Sequence, residues 1–224
     1  MSYGSLYNFP DERARITFPF VWWDGLFTDE EIDSIVEYCD GEGTERGLTV
    51  KSEGQSTEED VRKSNVKFHG QNEHTQIVFD KMNWVITEMN NRFYNFDING
   101  WETFQFGTYD GKEGGKYDWH MDMIMGNKRG DEMYLTRKLS IVMLLSEPGV
   151  DFEGGEFELN GSSESKPDVP ELKKGRIIAF PSWMVHRVKP VTSGVRKSIV
   201  IWVLGDRKST RLNSSHLGIS YAVF

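Results

Sequence analysis

Apolar residues recur along this chain with two periods, and each period predicts a different kind of element. Between Trp101 and Tyr109 every second residue faces the same side, which predicts a strand. One face carries Trp101, Gln105 and Tyr109, and the other carries the rings of Phe104 and Phe106. We expect this strand to be buried on both sides. Further β-branched and aromatic runs predict strands at 16–23, 62–68, 138–145 and in three stretches between 175 and 202.

Two segments of the first half repeat at helical spacing. Thr28 and Glu31 have the spacing of a capping box, in which each side chain satisfies the backbone amide of the other. Apolar residues then follow at helical spacing over 32–39. Thr75 opens a second predicted helix, which reaches about Phe93 and presents one apolar face to the sheet.

Polar segments separate these elements. Residues 41–60 contain mostly Gly, Ser, Thr and acidic residues, and this length without apolar content predicts a mobile loop that closes over a binding site. Residues 125–136 are a second candidate loop over the site, and 160–169 form another polar loop. His69 and His74 lie between elements without carboxylate or cysteine partners at ligand spacing, so surface-loop positions are favoured over metal ligation.

Composition narrows the class of protein. The 224 residues suffice for one domain with a sizeable core. The single cysteine, Cys39, forms no intramolecular disulfide and is predicted to be a buried core residue, not a nucleophile. No apolar run reaches membrane-spanning length and Met1–Pro10 shows no signal pattern, so we expect a soluble, cytoplasmic protein without a membrane partner. The net charge of −9 disfavours nucleic-acid binding.

Three polar residues suggest a metal site. On a strand His120 and Asp122 would present an imidazole and a carboxylate side by side. A distant His186 can complete a set of two histidines and one carboxylate, which is the ligand set of non-haem Fe(II) oxygenases. A His-x-Asp pair arises easily by chance among 5 histidines and 35 acidic residues. The residues around His186 therefore decide whether a metal site is predicted.

The surroundings of His186 read as two strands joined by a turn of Pro, Thr, Ser and Gly. His186 and Val188 share one face of the first strand. Arg196, Ser198 and Trp202 share one face of the second. We expect a hairpin that brings both faces to the same side and places the Arg196 cation near the third ligand.

These motifs resemble the 2-oxoglutarate- and Fe(II)-dependent oxygenases, most closely the prolyl 4-hydroxylase-like branch, over roughly residues 16–205. In that family a His-x-Asp pair, a distal His and an Arg or Lys about ten residues later recur, as do His120, Asp122, His186 and Arg196 here. The resemblance implies a mainly β (α+β) fold, a cupin-like double-stranded β-helix or jelly roll, with the N-terminal helices packed on one side.

The resemblance also bounds the domain. We expect a single domain over 1–206, with its catalytic core at about 101–205 and its first strand and helices at about 16–95. Residues 207–224 lack strand alternation and look like a foreign or disordered tail. Gly154-Gly155 matches a family pattern in which a Gly-Gly turn enters a strand beside the metal ligands.

Cofactors follow from the resemblance. Fe(II) would be bound by the three ligands, with 2-oxoglutarate as co-substrate, molecular oxygen as oxidant and ascorbate as an accessory reductant. The far carboxylate of 2-oxoglutarate would pair with Arg196, and Tyr109 and Ser198 would donate further hydrogen bonds. For Tyr109, simple packing at a strand end is the alternative.

The implied activity is hydroxylation of an unactivated carbon, with release of succinate and carbon dioxide. A prolyl residue in a peptide or protein is the leading substrate, and Arg62, Tyr117 and Trp202 are candidate substrate contacts. Free amino acids, other side chains and nucleobases remain as alternatives. A zinc hydrolase or a barrel that binds without turnover are rivals from other classes. The sequence does not specify the oligomeric state.

Overall fold

The computed structural model describes residues 18–47, 61–123, 135–160 and 166–206. The strands are β1 (Val21–Trp23), β2 (Glu45–Arg46), β3 (Arg62–Lys63), β4 (Asn65–His69), β5 (Phe104–Asp110), β6 (Lys116–His120), β7 (Leu135–Leu144), β8 (Phe152–Gly154), β9 (Phe157–Leu159), β10 (Ile177–Pro181), β11 (His186–Val188) and β12 (Val191–Asp206). The helices are α1 (Asp29–Gly41) and α2 (Gln76–Met89), with a π-helical turn (Asn90–Tyr94) after α2 and a 3-10 turn (Gly111–Glu113) after β5.

The strands form two antiparallel sheets. The larger sheet has the order β1-β10-β7-β12-β5-β4-β2, and β8 pairs with the first part of β12. The smaller sheet has the order β3-β6-β11-β9. The long strand β12 therefore lies between β7 and β5 and holds the larger sheet together.

Side chains alternate across the larger sheet and build two cores. On one face Phe104, Phe106, Ile141 and Ile199 pack against α1 and α2. The other face turns toward the smaller sheet, where Val142, Leu144 and Tyr109 meet Phe157 and Val188. Helices cover one side of two facing antiparallel sheets, as expected for a double-stranded β-helix with packing helices.

Helix α1 begins as predicted. The backbone N–H of Thr28 donates to Glu31 Oε2 (2.8 Å), and that of Glu31 donates to Thr28 Oγ1 (3.3 Å). Cys39 is fully buried on the inner face of α1. Burial raises the pKa of its thiol to about 12, which keeps it protonated and confirms the core assignment.

Helix α2 also follows the prediction. Thr75 is its N-cap residue, although its side chain makes no capping hydrogen bond to the helix. The π-helical turn extends the helical segment to Tyr94 and ends at Asn95, whose φ is +52°. No described helix is long and apolar enough to cross a membrane.

Two sequence predictions fail because pairing between distant segments overrides local pattern. His69 does not lie in a surface loop but ends β4 opposite Phe104, where it is 4% exposed and its ring stacks on the phenyl ring (5.2 Å). His74 is exposed, as expected. Trp101 precedes β5 instead of joining it, and its ring stacks on Phe79 of α2.

Several predicted segments extend beyond the described residues. Strand β1 begins at Val21, later than the predicted strand at 16–23. The greater part of the predicted loops and all of the predicted tail lie outside the described residues, at 48–60, 124–134, 161–165 and 207–224.

Candidate metal centre

A β-bulge shapes the strand that carries the first candidate ligand. His186 of β11 pairs with His120 of β6, but Val188 pairs with Tyr117, so β6 has two residues where β11 has only Arg187. An extra residue in one strand shifts its alternation. The side chains of Tyr117 and His120 therefore turn to the same side, and their rings stack with centroids 3.5 Å apart.

Asp122 does not lie on the same strand as His120, contrary to the prediction. Strand β6 ends at His120, and the backbone N–H groups of Asp122 and Met123 both donate to the carbonyl of Ser182 (3.0 and 2.9 Å). This turn pulls the chain out of the ladder. It nevertheless leaves Asp122 Oδ1 at 3.7 Å from His120 Nε2, so the predicted neighbours do meet.

His120, Asp122 and His186 form one cluster, with a ligand atom from each within 4.8 Å of the others. The second carboxylate oxygen, Asp122 Oδ2, lies 3.6 Å from His186 Nε2. Each imidazole places Nδ1 beside a backbone carbonyl, that of Asp118 (2.7 Å) and that of Met184 (2.9 Å). An Nδ1–H that donates to these carbonyls leaves the Nε2 lone pair free toward the cluster.

The charges of the cluster suit a cation. Burial, and then the neighbouring His186, lower the pKa of His120, so its imidazole is neutral. Burial alone would raise the pKa of Asp122, but the two histidines, followed by Ser140 and Trp202, outweigh it and hold that pKa below its usual range. One buried carboxylate and two imidazoles that turn Nε2 toward it fit Fe(II) as a facial ligand set.

Arg196 is a buried cation, and no acidic side chain among the described residues pairs with it. It is 1% exposed and its Nε has no hydrogen-bond partner, while Nη1 donates to Ser198 Oγ (3.3 Å). The guanidinium lies 5.4 Å from the centre of the Tyr109 ring. Burial lowers the pKa of Arg196, and no described carboxylate offsets that cost. The site therefore fits a ligand that brings its own carboxylate, as 2-oxoglutarate does.

The predicted hairpin between His186 and Arg196 is wrong. Strand β11 pairs within the smaller sheet and β12 within the larger one, so the turn between them carries the chain across the barrel. β12 pairs with β5 and β7 over many residues, whereas β11 has only three residues with which it could pair. Phe157 connects the two sites: its ring lies 5.7 Å from that of His186, and it lines a cavity of about 10 Å³ together with Arg196.

Comparison with known proteins agrees with this geometry. Residues 104–204, which include all three ligands and Arg196, match the 2OG-Fe(II) oxygenase superfamily. A PKHD-type hydroxylase from Synechococcus sp. is 41% identical over 93 residues, which cover 41% of this chain and 37% of the relative. The match thus spans well under half of the relative's length.

Solved structures share this fold. A prolyl hydroxylase from Trichoplax adhaerens, in complex with a hypoxia inducible factor peptide fragment, superposes with a TM-score of 0.65 at 20% identity, over 85% of either chain. A viral collagen prolyl hydroxylase from Paramecium Bursaria Chlorella virus-1, in a 2OG complex, has a TM-score of 0.60 at 20% identity, over 84% of this chain and 97% of that one.

The fold brings two of the candidate substrate contacts next to His120, a candidate metal ligand. Arg62 is 7% exposed, and it donates from Nε to Ser64 Oγ (2.7 Å) and from Nη2 to Gln105 Oε1 (3.3 Å). Its guanidinium lies 4.6 Å from the centre of the Tyr117 ring, which in turn stacks on His120. Arg62 and Tyr117 thus form one wall beside the first ligand.

Trp202 lies beside Asp122 and is accompanied by a residue that the sequence analysis missed. Arg137 stacks over the Trp202 ring at 3.9 Å and donates from Nη1 to the backbone carbonyl of Asp122 (3.3 Å). Nε1 of Trp202 is buried and has no hydrogen-bond partner among the described residues. A cation at the start of an otherwise apolar strand was the available signal for Arg137.

The Gly-Gly turn predicted before β9 is present. Gly154 and Gly155 have φ of +73° and +65°, the left-handed conformation that favours glycine. A Cβ on Gly155 would lie 2.9 Å from Val191 Cγ2 and 3.0 Å from Arg196 Cδ. The absent side chain at this position therefore makes room for the buried arginine.

Proposed function

We propose that this protein is a 2-oxoglutarate- and Fe(II)-dependent dioxygenase. The observation that carries the proposal is the buried cluster of two imidazoles and one carboxylate beside a buried arginine without a described acidic partner. In the reaction one oxygen atom of O₂ enters a substrate C–H bond. The other enters 2-oxoglutarate, which leaves as succinate and carbon dioxide.

The roles of the residues follow from their positions. His120, Asp122 and His186 would hold Fe(II), which would supply oxygen activation. The fork of Arg196 pairs with the far carboxylate of 2-oxoglutarate through two parallel N–H donors. Ser198 already accepts from that guanidinium, and the ring of Tyr109 supports it. Both are placed to contact the co-substrate as well.

A prolyl residue in a peptide or protein is the substrate we infer. Aromatic faces such as those of Tyr117 and Trp202 pack well against an apolar ring, and the Arg62 guanidinium can donate to peptide carbonyls. The peptide in the Trichoplax adhaerens complex supports a peptide class of substrate. The one cysteine, which is buried, favours a reducing cytoplasmic setting.

The test combines metal content with turnover. The iron-loaded protein is supplied with 2-oxoglutarate, oxygen, ascorbate and a proline-containing peptide library, and succinate and the mass gain of one oxygen atom are measured. His186→Ala should lose both iron and succinate release, because it removes one of three ligands. His74→Ala, at an exposed histidine, is the matched control and should keep both.

The alternatives give different outcomes in the same assay. Free amino acids, other side chains or nucleobases as substrates would give succinate only when those compounds replace the peptides. Hydrolytic cleavage of a peptide, with addition of water and no requirement for 2-oxoglutarate, would indicate a zinc hydrolase. An iron-loaded wild type without turnover on any substrate would indicate a binding module. Full iron content in His186→Ala would refute the ligand assignment.

A further inference from the structure

The orientation of Asp122 is not set by a strand. It lies past the end of β6, where its backbone N–H donates to the carbonyl of Ser182 and its carbonyl accepts from Arg137, and neither contact sets the rotation of the carboxylate. The χ2 torsion of an aspartate is broad and permits the carboxylate to rotate. A ligand that must turn one oxygen toward His120 and the other toward His186 therefore needs a further constraint.

Two buried hydroxyl groups lie where such a constraint is needed. Ser140 of β7 and Ser182, directly after β10, are both 0% exposed, and their Oγ atoms are 2.9 Å apart. Ser140 alternates with Val142 and Leu144 on the face of β7 that turns toward the smaller sheet. A hydroxyl on a buried apolar face is costly unless both its donor and its acceptor functions are used.

The number of hydroxyl protons determines which of the two serines donates to the other. The two hydroxyls carry two protons, and one of them spans the gap between the oxygens. The other needs an acceptor, and the side chain of Asp122 is the further hydrogen-bond partner of Ser140. A carboxylate that serves as a metal ligand can only accept. The Ser182 hydroxyl therefore donates to Ser140, whose own hydroxyl donates to Asp122.

Ser182 is itself held firmly. Its backbone N–H donates to the carbonyl of Lys138 (3.0 Å), and its carbonyl accepts from Asp122 and Met123. The same residue thus anchors the Asp122 backbone and supplies the first donor of the hydroxyl chain. Neither serine is a metal ligand, and both lie within the packed interior between β7 and β10.

We propose that Ser182 and Ser140 are positioning residues that fix the Asp122 carboxylate, through a directed pair of hydrogen bonds, in the rotation that serves the iron. The inference rests on the proposed function. Partners that orient a metal ligand typically affect metal affinity about tenfold to a hundredfold. Their loss should therefore weaken Fe(II) binding even before any substrate is added.

The test measures the Fe(II) dissociation constant by chelator competition, without co-substrate. Ser140→Ala should raise this constant about tenfold or more. Ser140→Thr, which keeps the hydroxyl, should restore most of the affinity, and Ser182→Ala should give a smaller rise. Ser146→Ala is the matched control, because Ser146 is also buried but bonds only to the backbone of Val195 and Lys197.

Thermal unfolding of the iron-free variants separates positioning from simple packing. Ser140→Ala and Ser146→Ala each lose a buried hydrogen bond, so both should unfold at lower temperature, but only Ser140→Ala should lose iron affinity. Equal iron affinity in these two variants would overturn the inference and leave the proposed function intact. If Ser140→Ala does not fold, an unchanged constant in Ser182→Ala overturns it. A wild type that binds no Fe(II) would overturn both.

Discussion

Arg196 holds a positive charge in the interior with a serine hydroxyl and a tyrosine ring as its described neighbours. Arg196→Ala should raise the 2-oxoglutarate concentration needed for half-maximal succinate release, while Fe(II) affinity changes little. Truncation of one partner of a buried charge pair costs about 2 to 5 kcal/mol, which is roughly thirty-fold or more in affinity. Arg196→Lys keeps the charge but loses the fork, so it should fall between.

Arg92→Ala is the control for this series, because Arg92 lies exposed on the π-helical turn, where it pairs with Glu88 and lies over the Trp23 ring. It should leave the 2-oxoglutarate requirement unchanged. The co-substrate assignment would fail if Arg196→Ala and Arg92→Ala had the same requirement.

At the residue scale the sequence reveals candidate metal ligands better than the residues that hold those ligands in place. His120, Asp122 and His186 could be selected because two histidines and a carboxylate are a recognisable donor set. Ser140 could not, because its contact with Asp122 depends on how β7 packs beside the turn after β6. Arg137 gave only the weak signal of a cation in a largely apolar strand, and its contact with Asp122 depends on the same packing. Ordinary hydroxyls and cations acquire such roles only through contacts between distant segments.

Among the turns, the one at Gly155 joins backbone conformation to the co-substrate site. Gly155→Ala should destabilise the protein, because a left-handed φ costs an L-residue about 1 to 2 kcal/mol, and the new methyl group also meets Val191 and Arg196. It should raise the 2-oxoglutarate requirement as Arg196 shifts. Urea unfolding and co-substrate titration measure the two effects.

Gly149→Ala provides the matched control. Gly149 has a similar φ of +76°, but a Cβ there meets nothing within 4 Å. This variant should show the backbone cost alone, with an unchanged 2-oxoglutarate requirement. Identical behaviour of the two variants would show that the space at Gly155 is not needed by Arg196.

Elements with local causes were predicted and elements with distant causes were not. The capping box of Thr28 and Glu31 and the alternation over 104–109 lie within a few residues, and both are present. The predicted hairpin at His186 was wrong because the neighbouring strands decide which sheet a strand joins. The turn between β11 and β12 has the same residues whether the two strands pair with each other or join different sheets. The bulge in β6 likewise depends on its partner strand.

For the molecule as a whole, we propose that residues up to 206 form the domain and that 207–224 add nothing to it. A chain that ends after Asp206 should keep the unfolding temperature and the Fe(II) affinity of the full chain, since β12 ends there and completes the larger sheet. A clear loss of either quantity would assign the last eighteen residues a structural role.

The position of β12 between β7 and β5 also has a consequence for biosynthesis. A ribosome produces this strand last among the described elements, so β5 and β7 have unpaired edges until nearly all of the domain has emerged. Pairing between such distant segments makes folding slow, on the order of milliseconds to seconds. Apolar strands with open edges associate readily with other chains during that interval. Nascent chains should therefore depend on chaperones until β12 is inserted, and arrest of translation before Val191 should yield aggregates without iron affinity.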